Sequence, residues 1–275
     1  MALAVAFTDI EAAQRTIRGK VLRTPTIPAP RLSEWTGAEI FVKYENMQAT
    51  ASFKDRGALV RLMSLTPEAR AKGVVAMSAG NHAQAVAFHA RRLAIPATIV
   101  MPVGTPFVKV GKTERFGAEV VLAGETLFEA RAKAEEIARE RGLTMVHPYD
   151  DPKVIAGQGT AGLEILRDAP DLDCLVVPIG GGGLIAGVAV AAKHLKPAIE
   201  IYGVQCDAYP AMLCAVRGTV PPAGGMTLAE GIAVKSPGAL TIPIVKALVS
   251  DILIIGEEAI ERAVAAFLTL QKTMA

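Results

Sequence analysis

The residues equipped for chemistry are few, and Lys54 is the first of them. It lies in "ATASFKDRGAL", residues 49–59, after a short apolar strand and a polar loop, "EIFVKYENMQ". Ala58, Leu59, Leu62 and Met63 follow at helical spacing. Ser52 is the expected N-cap, with Asp55 three residues on. A lysine in that first turn opposes the positive end of the helix dipole. The same field, with burial, favours the neutral amine, which is the nucleophilic form. A lone lysine is most often a solvated surface residue, so a reactive one needs partners elsewhere in the chain.

Two further helix starts supply them. "PIGGGGL", residues 178–184, follows an apolar strand and opens a helix. Backbone amides can converge on an anion there, and glycine leaves the approach open. The adjacent glycines match neither G-x-G-x-x-G nor a P-loop, so a dinucleotide or ATP site is disfavoured; a flexible turn is the plain alternative. "MSAGNHAQAVAF", residues 77–88, repeats the arrangement at another strand end. Ser78 and Asn81 are expected caps, and amides from Ala79 to His82 can face a carboxylate. Taken alone this stretch also reads as an ordinary capped helix, and His82 as a structural histidine. A reactive amine, a cradle for one phosphate and a site for one carboxylate are together what pyridoxal phosphate chemistry on an amino acid requires.

Alternating strands and helices position these devices. Strands are expected at 74–78, 97–101, 117–124, 143–148, 173–179, 200–205 and 251–256. Helices lie between them, including an amphipathic one ending at Gly142 and one at 154–169 with a small-residue face. This order means βαβ units, mostly parallel sheets and helices on both faces. Residues 174–192 carry no charge, but Pro178 and the glycine run mark them as strand, loop and helix rather than a membrane span. "GTVPPAGG", 218–225, is an expected surface loop.

The chain of 275 residues is 51% hydrophobic with a net charge of +2, too balanced to suggest a nucleic-acid or membrane-surface partner. Cys174, Cys206 and Cys214 form no C-x-x-C, and the four histidines form no H-E-x-x-H cluster, so neither a disulfide framework nor a zinc site is expected. The cysteine usage suits a reducing, cytoplasmic setting, and the N-terminus lacks the basic region of a signal peptide.

"KYENMQATASFKDRGA" (43–58), "SAGNHAQ" (78–84), "AGQGT" (156–160), "GGGGL" (180–184) and "AEGIAV" (229–234) make the resemblance specific. The chain resembles the fold-type II pyridoxal-phosphate enzymes of the threonine dehydratase and serine racemase family, over nearly its whole length. The resemblance implies a fold like the tryptophan synthase β subunit, with two open twisted sheets. Residues 1–72 and 149–275 would form a large cofactor-binding domain, and 73–148 a small mobile one. It implies that Lys54 forms the imine with the cofactor, that Phe53 packs beside the ring, and that Asn81 bonds the ring oxygen. It implies that amides of Gly180, Gly181, Gly182, Gly183 and Leu184 hold the phosphate. Ser78, Ala79, Asn81 and His82 would receive the substrate carboxylate, with Gly231 and Glu230 near the imine. The implied reaction is α,β-elimination on a 3-hydroxy L-amino acid: L-threonine to 2-oxobutanoate and ammonia, or L-serine to pyruvate. A homodimer and a place in isoleucine biosynthesis are implied with it. The alternatives are a 3-hydroxyaspartate dehydratase, a serine racemase, a β-replacement enzyme and an inactive fragment.

Three departures from the family pattern bear on this. Racemases of the family resemble "SSGNHGQ" and use the second serine as an acid; this chain has Ala79 there, so dehydration should dominate. Many relatives place a glutamate and an aspartate where Gln205 and Ala211 stand, so no metal is expected at that spot. The chain ends at "LTLQKTMA", expected to be helical, where relatives continue to a residue that meets the ring nitrogen; a shortened chain is the expectation. Arg56 is expected to form a surface ion pair, with recognition of a second carboxylate as the other reading.

Overall fold

The computed structural model of the chain describes residues 3–273. The first layer opens with α1 (Phe7–Ile17), β1 (Thr26–Pro28), α2 (Pro30–Thr36) and β2 (Phe41–Lys43). β1 and β2 pair antiparallel, Thr26 opposite Lys43. The expected polar loop after β2 contains a short 3₁₀ turn, Glu45–Met47, before α3 (Lys54–Met63) and α4 (Pro67–Lys72).

β3 (Val74–Met77), α5 (Asn81–Arg92), β4 (Ala97–Met101), α6 (Phe107–Glu114), β5 (Glu119–Leu122), α7 (Leu127–Arg141) and β6 (Thr144–Met145) follow. Their four strands form one all-parallel sheet in the order β5-β4-β3-β6. Successive side chains of a strand point to opposite faces, and both faces here are apolar. Val74 and Ala76 pack with Val86 and Ala90 of α5, whereas Val75 packs with Ala130, Ala134 and Ile137 of α7. β6 is shorter than the strand expected at 143–148: it ends at Met145, because the chain turns there into a hydrogen-bonded strap.

α8 (Pro152–Asp168), β7 (Cys174–Pro178), α9 (Gly183–Leu195), β8 (Glu200–Cys206), α10 (Ala211–Arg217), α11 (Thr241–Leu248), β9 (Asp251–Ile255) and α12 (Glu257–Leu270) complete the chain. β7, β8 and β9 make a second parallel sheet. Leu175, Val177, Ile201 and Ile252 face Ile185 and Val188 of α9, Met212 of α10 and Val245 of α11. The expected terminal helix does not run to the chain end: α12 stops at Leu270, capped at Gln271, and residues 274–275 of "LTLQKTMA" lie outside the described residues. The uncharged stretch 174–192 is strand, glycine loop and helix as expected, and no described helix is long and apolar enough to cross a membrane.

α3 joins the two halves. Ala58 and Leu62 belong to the core of the four-stranded sheet, while Leu59 and Val60 belong to a second core with Ile10 of α1 and Ile155 of α8. A helix buried on both sides cannot shift without disturbing two cores, and Lys54 stands at its first position.

The small-residue face of α8 has its cause in close helix crossings. A Cβ on Gly157 would lie 2.6 Å from Gly57 Cα of α3, and one on Gly187 of α9 would lie 2.5 Å from Gly159 N. These backbones touch where any side chain would separate them.

Candidate functional site

Lys54 is half-buried, and its Nζ donates a 2.7 Å hydrogen bond to the Pro148 carbonyl. Burial pushes its amine down from 10.5 to about 8. The Phe53 ring lies beside it, 5.2 Å from Nζ to the centroid. The expected cap is altered in detail. Phe53, not Ser52, precedes the helix, and Ser52 Oγ accepts from Lys54 N at 3.2 Å. Asp55 does not reach back to Ser52; its carboxylate accepts from the Thr50 amide and hydroxyl at 3.0 and 2.8 Å.

The Asn81 helix start also differs from expectation. The cap is Gly80, with no side-chain cap bond, because Ser78 Oγ accepts from the Gly80 amide at 3.1 Å. Asn81 stands exposed at the first position of α5, behind half-buried Ser78 and Ala79. The first-turn amides have no carbonyl one turn back and are free to face an anion. His82 is buried, with Nε2 2.9 Å from the Val146 carbonyl. A carbonyl only accepts, so Nε2 carries the proton and Nδ1 the lone pair. Nδ1 has no partner. Burial, then the nearby Lys54 charge, push this imidazole down to about 3, so it is neutral at pH 7.

The glycine run is a built cradle. Gly182 has φ +95° and caps α9. A Cβ on Gly181 would lie 2.3 Å from the Tyr149 ring, and one on Gly182 2.4 Å from Met212 Cε. Gly180 abuts Val234 and Ile232, with the Gly231 carbonyl 3.6 Å from its notional Cβ. Thr241 Oγ1 donates to the Gly181 carbonyl at 2.8 Å, and the Gly238 amide adds a bond at 3.1 Å. The Gly181 carbonyl is tied back and the Cβ directions are occupied, which leaves the backbone amides as the groups this loop can turn to an anion, with Leu184 in the first turn of α9.

Of the expected residues, Lys54, Phe53 and His82 come together, and so do the four glycines with Gly231. Glu230 turns elsewhere: its carboxylate pairs with Lys109 of α6. Arg56 is a correction. It is fully buried, not on the surface, and it meets no open site. Its guanidinium donates to Glu45, Thr160 and Glu164 at 2.7–3.0 Å. Lys43 Nζ closes the network on Glu164 at 2.8 Å. Burial alone lowers such a cation's pKa, but the two carboxylates outweigh it and hold Arg56 above its ordinary value. At the position considered for a metal, Gln205 is buried; its Nε2 donates to the Ile179 and Tyr209 carbonyls at 3.3 and 3.1 Å, and its Oε1 accepts from Leu213 N at 3.0 Å.

Sequence reasoning missed Pro148, Tyr149 and Thr241. The available signal was "HPYDD", 147–151, an aromatic between a proline and two acids just before the α8 cap Asp151.

Comparison with known proteins agrees with this geometry. The family model described as pyridoxal-phosphate dependent enzyme matches residues 17–275. The chain is 48% identical over 273 residues to an L-threonine ammonia-lyase of Thermotoga maritima, covering 98% of this chain and 68% of that one. It is 46% identical over 275 residues to an L-threonine dehydratase, catabolic TdcB, of Escherichia coli, covering 99% and 83%. The structure of maize serine racemase superposes with a TM-score of 0.94 at 33% identity, covering 98% and 82%. With the lysine, the cradle and the fold all in agreement, this chain belongs to the pyridoxal-phosphate dependent enzyme family.

Proposed function

We propose that this protein dehydrates and deaminates a 3-hydroxy L-amino acid, with L-threonine giving 2-oxobutanoate and ammonia and L-serine giving pyruvate. The observation that carries the reading is Lys54: a half-buried amine with its pKa at about 8, bonded to one backbone carbonyl. Such an amine is neutral often enough near neutral pH to act as nucleophile and base. The names of the relatives at 46–48% identity support the substrate.

The residues present fit pyridoxal phosphate, since the cradle offers amides and no side chain to a single phosphate. When bound, pyridoxal phosphate supplies an electron sink for the pair left on the substrate α-carbon. In this reading the amides of Gly180, Gly181, Gly182, Gly183 and Leu184 face the phosphate. Phe53 would flank the ring, Asn81 would bond its oxygen and Gly231 would line the flank, whereas the Glu230 carboxylate is turned to Lys109. Lys54 takes the α-proton at Nζ. Ser78, Ala79, Asn81 and the His82 amide receive the substrate carboxylate. The neutral His82 ring supplies no proton at pH 7. Loss of the α-proton and the β-hydroxyl removes one water. Hydrolysis returns that water and frees ammonia, so the atoms balance.

Residues 73–148 act as a small domain that closes on residues 1–72 and 149–275. The four-stranded sheet having its own core supports this division, although Ala58, Leu62 and Leu65 reach into that core from residues 1–72, and the Lys109–Glu230 ion pair spans the division. Closure excludes water while charge develops on the substrate. Homodimer assembly and a cytoplasmic location belong to this reading, the first resting on the resemblance alone and the second on the cysteine usage. The word catabolic in the name of the Escherichia coli relative points to amino-acid breakdown rather than isoleucine biosynthesis.

Racemization is the second reading, favoured by the likeness to maize serine racemase. Ala79 opposes it, because a methyl group carries no proton. The test is the cofactor-loaded protein given L-serine, with pyruvate and D-serine measured together. Pyruvate should exceed D-serine severalfold; D-serine at a comparable rate would replace the lyase reading by the racemase one. No pyruvate and no D-serine would refute both.

A further inference from the structure

Lys54 and the glycine cradle are held by neighbouring residues of one short segment. The Pro148 carbonyl accepts from Lys54 Nζ at 2.7 Å. The next residue, Tyr149, presses its ring against Gly181, where a Cβ would lie 2.3 Å from Cγ. Its own backbone occupies the space beside Gly183, 3.0 Å from a notional Cβ there.

This segment is pinned along its length. His147 Nδ1 accepts from the Tyr149 and Asp150 amides at 3.3 and 2.8 Å. The Tyr149 hydroxyl donates to the Ser236 carbonyl at 2.7 Å. The Asp150 carboxylate accepts from the Ala239 and Leu240 amides at 3.0 and 2.8 Å. Asp151 caps α8 and pairs with Arg61 at 3.0 Å. Adjacent residues across a trans peptide keep a fixed Cα spacing of about 3.8 Å. Two functional groups referenced to adjacent, immobilised residues therefore keep a fixed separation.

We propose that residues 147–151 are a spacer strap that sets the distance between the Lys54 amine and the glycine cradle, with Tyr149 as its positioning residue. This rests on the reading that the cradle holds the cofactor phosphate. Gly181 is then a glycine because of Tyr149, not because a side chain there would meet the phosphate.

The test measures equilibrium binding of pyridoxal phosphate and of pyridoxal, by fluorescence, to the full chain and its variants. Gly181→Ala should weaken pyridoxal phosphate binding by about tenfold or more, the scale of coupling between residues in contact. Tyr149→Ala alone should also weaken binding, by releasing the strap's hold on the cradle, and the double variant should bind no worse than Tyr149→Ala, because the new methyl then meets no ring. The same addition should not restore Gly183→Ala, because the obstruction there is Tyr149 backbone, which alanine keeps. If Gly181→Ala alone does not fold, recovery of the folded circular dichroism spectrum in the double variant is the equivalent rescue. A Tyr149→Ala variant that binds like the parent, or a double variant that binds or folds worse than Tyr149→Ala, overturns the spacer. If Gly181→Ala leaves the preference for pyridoxal phosphate over pyridoxal unchanged, the phosphate reading of the cradle fails, and the spacer with it.

Discussion

Lys54 shows how a side chain disfavoured by its local position acquires a use. The helix start and the burial both work against the ammonium form, and the one acceptor offered to it is a neutral carbonyl. The sign of the consequence is fixed. A lysine lowered from 10.5 to about 8 loses its proton earlier than one in water, so the neutral fraction grows with pH up to that value and saturates above it. The rate of pyridoxal phosphate uptake by the free protein should rise about tenfold per pH unit below pH 7 and flatten above pH 8. Stopped-flow absorbance across pH 6–10 measures this; a rise continuing to pH 10 would mean an unshifted amine. Lys54 and the glycine run stood out in the sequence as helix starts, whereas Asn81 was read as a cap and the structure gives that cap to Gly80. Tyr149 did not stand out, because its role depends on a contact with Gly181, 32 positions away in the chain.

At the scale of elements, α3 and α8 carry the strongest constraint. Their crossing is so close that Gly57 and Gly157 nearly touch, and Gln158 Oε1 accepts from the Gly57 amide at 3.1 Å. The sequence disclosed the small-residue face of α8 but not the helix it meets. Beside this crossing, Arg56 and Lys43 balance Glu45 and Glu164. Arginine is usually exposed, and no periodicity reveals that four charges from three segments will meet inside, so the expected surface pair was wrong. Removing one member of such a network leaves another buried and unpaired. Arg56→Met should therefore destabilise the protein by about 3–5 kcal/mol, read as a lower urea midpoint. A loss near zero would show that water already reaches the carboxylates.

Over the whole molecule, α3 stands between the core of the four-stranded sheet and a helical core of α1, α8 and α9, and Lys54 lies at that junction. The alternation of strands and helices in the sequence was enough to predict parallel sheets with helices on both faces, since parallel sheets require crossover helices; the division into two sheets came only with the family resemblance. Residues 147–148 of the strap were read as the end of a strand, because "LTMVHP" has strand composition; the strap's hydrogen bonds run instead to His147, Ser236, Ala239 and Leu240. The sequence already joined the Lys54 helix, the Asn81 helix and the glycine cradle in one account of an amino-acid lyase. That account makes Lys54 indispensable while leaving the fold intact without it. The most direct measurement is 2-oxobutanoate and ammonia released from L-threonine by the cofactor-loaded protein and by Lys54→Ala. Equal amounts of both products from the first, and neither from a folded second, are predicted. Undiminished release by Lys54→Ala, or no release by the loaded parent, would contradict the account.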